Sequence, residues 1–409
     1  MTNKLIDNKA NRFKFTVHGF FFSSGINTAE PSTILPLIVS YFSSSNVLIG
    51  IFSAIFRGGN IVMQLFTAYH AQAYARVMKP LRILFMFRFL SWFGIGASIF
   101  IFGNSSNTLT LLLAGLFLFL FSFTAGLGTI YFHELLGKVF TPKYRGKTIA
   151  YRQFFMGVGG IVAGIFSGFL LKTLEAPKSY AYIFMNSAGF MAIGYAFLGT
   201  VKEFPKKNTN KKEERFSEFM KNSLSYIADD KKLNRLILSR LFSYAYLFVF
   251  PFIVVKSELD VSLAGLVIGS AIPFQIGTLA GNSFWGYLSY RGKDYNIISY
   301  SFLLTIIAII LAIFANKLLI FILIFLLIGC SSDGYKLAFR NIILTISPEN
   351  KRPVYWAIYN NLTAVGLFFS IPGGLLLQFF RYQGILIFTS LLLLSGLFFW
   401  VKNKAHIKS

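Results

Sequence analysis

Several ionisable residues sit where the neighbouring sequence is apolar enough for hydrocarbon. Glu30 lies in GFFFSSGINTAEPSTILPLIVSYF (Gly19 to Phe42), beside Pro31 and close to the middle of its apolar run. Arg57 lies in AIFRGGN, flanked by glycines, and Asp333, Lys336 and Arg340 lie in GCSSDGYKLAFRN. A charge at the bilayer centre costs roughly 3 kcal/mol on insertion scales, so it is kept where it meets a cavity or a partner. A carboxylate there can carry a proton or hold a cationic group, or it can be half of a packing ion pair. For Glu30 the candidate partner is Arg57, which can equally hold an anion. Asp333, Lys336 and Arg340 are spaced i, i+3 and i+7, on one helix face, with Ser331, Ser332 and Tyr335 nearby. Asp333 and Lys336 either neutralise one another or form the counterpart of Glu30 across a cavity.

Arg88, Arg152 and Arg240 each fall within about two turns of a helix end, where a long side chain can snorkel to the interface. Arg152 is also a candidate for an anionic solute. Other chemistries find no residues. The four histidines (His18, His70, His133, His406) make no metal-ligand pair at helical spacing, and the single cysteine, Cys330, gives neither a disulfide nor a metal site. A Gly-x-x-x-x-Gly-Lys-Ser/Thr phosphate loop is missing, so direct ATP chemistry is excluded. The expectation is no catalytic residue, no metal and no cofactor.

The elements that must position these residues follow from composition. Of the 409 residues 55% are apolar, 13% are charged and 49 are Phe, with a mean hydropathy of +0.62. A soluble chain of this length carries roughly twice that share of charge. The first apolar run is also longer than the core of a signal peptide. Twelve runs are long enough to span hydrocarbon: 16–42, 46–71, 82–104, 108–136, 148–172, 179–201, 235–256, 262–289, 296–315, 317–343, 354–380 and 383–401.

The net charge of +24 suggests nucleic acid, but Lys and Arg are sorted into alternate loops and not gathered on one face. One set holds Lys4 to Lys14, Arg76 to Arg82, Lys138 to Lys147, Arg291, Lys293, Lys351, Arg352 and the tail. The opposite loops, such as SSSN and GNSSNT, are poor in basic residues. The positive-inside rule places both termini in the cytoplasm. The one long polar stretch, 202–234, divides the chain into an N-terminal bundle (1–201) and a C-terminal bundle (235–409), six spans each.

The halves are related. A shift that carries Pro36 onto Pro251 also carries Gly50 onto Gly265 and Arg76 onto Arg291. Further along, TPKYRGK (Thr141 to Lys147) meets SPENKRP (Ser347 to Pro353), Gly160 meets Gly366 and Gly168 meets Gly374. Parallel repeats of this kind build transporters with a site between the halves, near the midplane. Six plus six spans, a basic central segment and basic loops after spans 2 and 8 resemble the major facilitator superfamily over almost the whole chain. The family's Gly-x-x-x-Asp-Arg-x-Gly-Arg loop is matched by GYLSYRGKD at Gly286, Arg291 and Gly292, with Tyr290 in place of the acid. The first copy, AQAYARVMK, keeps Arg76 and Lys79, while Ala71 and Ala75 replace the glycine and the acid.

The resemblance implies an all-α fold of two pseudo-symmetric six-helix bundles and a cytoplasmic gate in which Lys79 pairs with Glu134, with Arg76 and Arg291 in the two loops. Arg340 occupies the position matching Glu134, so the gate is expected to be asymmetric. It also implies secondary active transport by alternating access in the plasma membrane, for a small-molecule substrate and by a monomer. Proton coupling through Glu30, with Asp333, is the expected driving force. By analogy with compact family members, export of an amphipathic compound comes first. Uptake of an anionic nutrient, using Arg57, Lys336 and Arg152, and lipid flipping are the alternatives. A membrane-embedded enzyme would need a nucleophile or metal constellation, which the sequence lacks.

Overall fold

The computed structural model describes residues 9–71, 76–140, 142–203, 230–260, 263–348 and 352–408. Most of the central segment 202–234, part of the AQAYARVMK loop and part of SPENKRP therefore lie outside the described residues. Among those described there is no strand. The helices are α1 (Lys9–Thr28), α2 (Ile34–Phe42), α3 (Asn46–Ala71), α4 (Met78–Phe102), α5 (Asn107–Val139), α6 (Pro142–Thr173), α7 (Lys178–Gly199) and α8 (Lys231–Ser243). They continue as α9 (Phe250–Asp260), α10 (Leu263–Tyr290), α11 (Asp294–Ile313), α12 (Leu318–Ile346), α13 (Arg352–Thr363), α14 (Ser370–Phe379) and α15 (Tyr382–Lys408). Hydrocarbon offers no hydrogen bonds, so a chain this apolar closes them within helices. Nine helical stretches among the described residues are long and apolar enough to cross a membrane. TPKYRGK, read as a loop, instead opens α6: Pro142 is its first residue, where a missing N–H leaves nothing unpaired.

Three apolar runs read as single spans are interrupted. The first breaks between Thr28 and Ile34, at Glu30 and Pro31. The others pass through short 3-10 turns, Tyr244–Phe248 and Ala364–Phe368. Each break is followed by a proline in the first turn of the next segment: Pro36 in α2, Pro251 in α9 and Pro372 in α14. A first-turn proline removes an N–H that has no helical partner there, so the chain restarts without loss. The repeat signal that aligned Pro36 with Pro251 thus marks two corresponding breaks.

The chain forms two compact units, Met1–Ile38 with Ile55–Glu213, and Val39–Ala54 with Glu214–Ser409. The second takes in a short segment from the first half of the sequence, held by the Ser370 hydroxyl donating to the Gly50 carbonyl at 2.9 Å and by Gly374 lying on the backbone of Asn46 and Val47. Within unit 1, α1 packs on α6 and α7, and α4 packs on α5 and α7. Unit 2 repeats the pattern: α8 packs on α13 and α15, and α11 on α12 and α15. Glycines set the close approaches. Gly159 lies against the Phe20 carbonyl, Gly126 against that of Asn60, and Gly373 against that of Phe248. Small residues let helix backbones meet where apolar side chains gain nothing over lipid.

Candidate functional site

Glu30 occupies the break itself. Its carbonyl accepts from the Thr33 and Ile34 amides at 3.1 and 2.8 Å, and its Oε1 accepts from the Ser32 amide at 3.2 Å. The partly buried carboxylate therefore stands at the start of α2, where unpaired amides and the helix dipole favour negative charge. The α1 side of the break is held as firmly. Helices leave their last carbonyls without helical partners. Here the Ser187 hydroxyl donates to the Gly25 carbonyl at 2.5 Å and the Ser167 hydroxyl to the Thr28 carbonyl at 2.6 Å. Sequence reasoning missed both serines, because nothing local distinguishes them from other serines of apolar helices.

Arg57 is partly buried on α3. Gly59 beside it serves helix packing: a Cβ there would come within 2.9 Å of the Ser122 Oγ, and that hydroxyl donates to the Ile55 carbonyl at 2.8 Å. On α12, Lys336 and Arg340 are exposed, Asp333 is partly buried, and both cations act electrostatically on the Asp333 carboxylate. Tyr335 departs from the expected polar face. It is 1% exposed, with its ring 5.2 Å from Phe302 and 6.2 Å from Phe339. Two residues along a helix is more than half a turn, so Tyr335 enters the bundle core while Asp333 does not.

Of the three arginines placed near helix ends, Arg240 is buried and Arg88 and Arg152 are partly buried, each against aromatic rings. Arg240 is 9% exposed, donates to the Tyr244 hydroxyl at 2.9 Å and packs over the Tyr244 and Phe339 rings at 4.2 and 5.2 Å. Arg152 lies over Phe132 at 4.9 Å, and Arg88 over Phe121 at 4.7 Å. Aromatic faces attract the guanidinium and keep it inside the bundle.

The expected gate is arranged differently. Lys79 is exposed and, among the described residues, forms no ion pair. Glu134 meets Lys138 at 3.8 Å instead, and Lys138 meets Glu203 at 3.3 Å. Glu203, just past α7, also accepts from the Val77 and Met78 amides at 2.8 and 2.9 Å. It occupies the N-terminus of α4 that carries Lys79. Arg76 is exposed just before α4, and Arg291 is exposed over the Tyr287 ring at 4.6 Å. In that second loop the acid is Asp294, which accepts from Ser289 at 2.7 Å and from Asn341 at 3.0 Å. Gly292 takes φ +69 to make the turn.

A groove of about 550 Å³ opens between α1 and α6, lined by Phe13, Phe20, Phe21, Tyr151 and Phe155, with Lys9 and Arg12 at one end. Among the described residues no group of His, Cys, Asp and Glu is placed to hold a metal ion.

Residues 17–236 and 236–408 match the family model of the Major Facilitator Superfamily. The chain belongs to this superfamily. Solved structures agree on the fold. The nucleoside transporter NupG superposes with a TM-score of 0.71 at 12% identity, over 96% of this chain and 98% of that one. A bacterial homologue of the iron transporter ferroportin gives 0.74 at 11%, over 97% and 99%. The xylose transporter XylE from E. coli gives 0.68 at 14%, over 95% of each. Comparison with curated proteins finds no match. Membership of the major facilitator superfamily makes this chain a multi-pass secondary transporter and not an enzyme.

Proposed function

We propose that the protein exports a small amphipathic organic solute by alternating access, in exchange for protons. Glu30 is the proton-carrying acid, Asp333 a second one, and Arg57, Lys336 and Arg152 are contacts for the solute. In this reading twelve spans form two six-helix bundles, 1–201 and 235–409, with both termini in the cytoplasm. The transporter works as a monomer in the plasma membrane without a cofactor. Arg76, Lys79, Glu134 and Arg291 line its cytoplasmic gate.

The observation that carries the reading is the interrupted first span, with Glu30 at the restart. Irregular backbone at membrane depth is tolerated where it lines a cavity or is buried in protein, and interrupted helices form binding sites in transporters. The aromatic groove between α1 and α6 supports an amphipathic solute. Uptake of an anionic nutrient is the second reading, favoured by the guanidinium of Arg152 inside unit 1.

The test starts with a thermal-shift screen of purified protein against metabolites and drugs at acidic and neutral pH. Hits then go to proteoliposomes loaded with a pH-sensitive dye. Solute added to wild type should move protons. Glu30→Gln should abolish proton movement and keep solute exchange at equal pH. Proton movement that survives in Glu30→Gln removes Glu30 from the coupling step.

A further inference from the structure

At the end of unit 1 that carries Lys14 and Glu203, five helices bring three basic side chains to one aromatic cage. His18 on α1 is 4% exposed. Its ring stacks on Phe22 at 5.5 Å and lies 5.8 Å from Phe132 and 6.1 Å from Tyr195. Arg88 on α4 packs over two of these same rings, Phe22 at 5.4 Å and Tyr195 at 5.7 Å. Arg152 on α6 covers the third, Phe132. The stem of Arg152 runs across Gly19, next to His18: a Cβ there would sit 2.5 Å from its Cγ. Both guanidinia act electrostatically on the His18 ring.

No acid among the described residues answers these charges. Among the described residues neither Arg88 nor Arg152 has a carboxylate or a hydrogen-bond acceptor, and the buried Nε of each, like the buried Nδ1 of His18, lacks a partner. Glu134, two residues from Phe132, is paired with Lys138. Glu30 lies beyond the end of α1, and His18 to Thr28 alone is about 15 Å of helix. Aromatic faces hold a guanidinium in place but leave its charge in full. Two like charges that both act on one buried ring, with donors unused, is an arrangement that an anion completes. The forked donors of arginine suit a carboxylate or a phosphate.

We infer that His18, Arg88 and Arg152 bind the carboxylate or phosphate group of the transported solute, which makes that solute a small organic anion. The inference rests on the reading of the chain as a small-solute transporter and holds for either direction of transport. The phosphate of an anionic lipid offers the same chemistry, and the experiment separates the two.

Purified full-length protein in nanodiscs of phosphatidylcholine is titrated with benzoate, phenyl phosphate and inorganic phosphate, with tetraphenylphosphonium as the cationic control. The anions should raise Tm and the cation should not. Arg88→Gln and Arg152→Gln should each weaken anion binding by about 10- to 100-fold, the size of a lost charge-assisted hydrogen bond. Arg88→Lys should retain part of it, keeping the charge and losing the fork. Equal affinity in both Gln variants, or no anion response in wild type, overturns the inference. Nanodiscs containing phosphatidylglycerol that suppress every probe would reassign the site to a lipid headgroup and overturn the solute assignment. In proteoliposomes, gradient-driven flux of a solute that survives in both Gln variants counts against the anion site alone. Anion binding without any flux counts against the transporter reading alone.

Discussion

Ser187 on α7 gives its hydroxyl proton to the Gly25 carbonyl at 2.5 Å and accepts the indole proton of Trp92 at 2.7 Å. One small side chain thus closes two buried polar groups beside the break in the first span. Ser187→Ala leaves both without a partner, at about 1–3 kcal/mol for each unmet group. Unfolding of the purified variant should show a large fall in Tm. A Tm within error of wild type would mean that the break is held by other contacts.

Glu203 should matter more than Glu134 for the integrity of unit 1. Glu203 binds two α4 amides and Lys138, whereas the ion pair of Glu134 lies within its own helix. A lost N-terminal cap costs about 0.5–2 kcal/mol, and a helix-surface pair about 0.3–0.5. Glu203→Gln should therefore lower Tm by several times the effect of Glu134→Gln. The reverse order would restore Glu134 as the principal acid at this end.

The crossing of α10 and α12 leaves no room at Gly277, which faces the Leu326 carbonyl, or at Gly329, which faces that of Phe274. Gly329→Val should force the helices apart and cost about 1–3 kcal/mol or more, as overpacking does. The expected readout is a loss of monodisperse protein in size-exclusion chromatography. Full yield and unchanged Tm would refute the close packing.

Gly292 closes the turn after α10, where the Lys293 amide donates to the Leu288 carbonyl at 3.0 Å and the Gly292 amide to that of Ser289 at 2.8 Å. Its φ of +69 is in the left-handed region, which costs an L-residue about 1–2 kcal/mol. Gly292→Ala should lower Tm by that amount and Gly292→Asn by less, since Asn tolerates this conformation. Equal losses would show that the backbone angle is not what selects glycine there.

Hydrocarbon compatibility is a local property, so the apolar runs, the alternating basic loops and the all-helical class were legible residue by residue. So was the repeat: Pro36 and Pro251 mark matching restarts, each in the first turn of the segment that follows a break. The lone acid at Glu30 announced an unusual place in the first span. It did not announce a full break capped by the Glu30 carboxylate at the Ser32 amide, because a proline inside an apolar run reads as a kink as readily as a break.

Side-chain orientation and company are non-local. Tyr335 belongs to the core and Asp333 does not because of how α12 is rotated against α11, which no spacing within α12 reports. Glu203 replaced the expected Glu134 at the α4 terminus because the chain past α7 returns to that point. His18, Arg88 and Arg152 stand far apart in sequence and share no motif. Each reads alone as a packing or interfacial residue. The sequence by itself determined that charges would fall within apolar helices, and the tertiary structure decided where the backbone breaks and restarts. Only the packing of α1, α4, α5, α6 and α7 decided which charges meet, because burial and the loss of water that give a charge its strength are properties of neighbours on other helices.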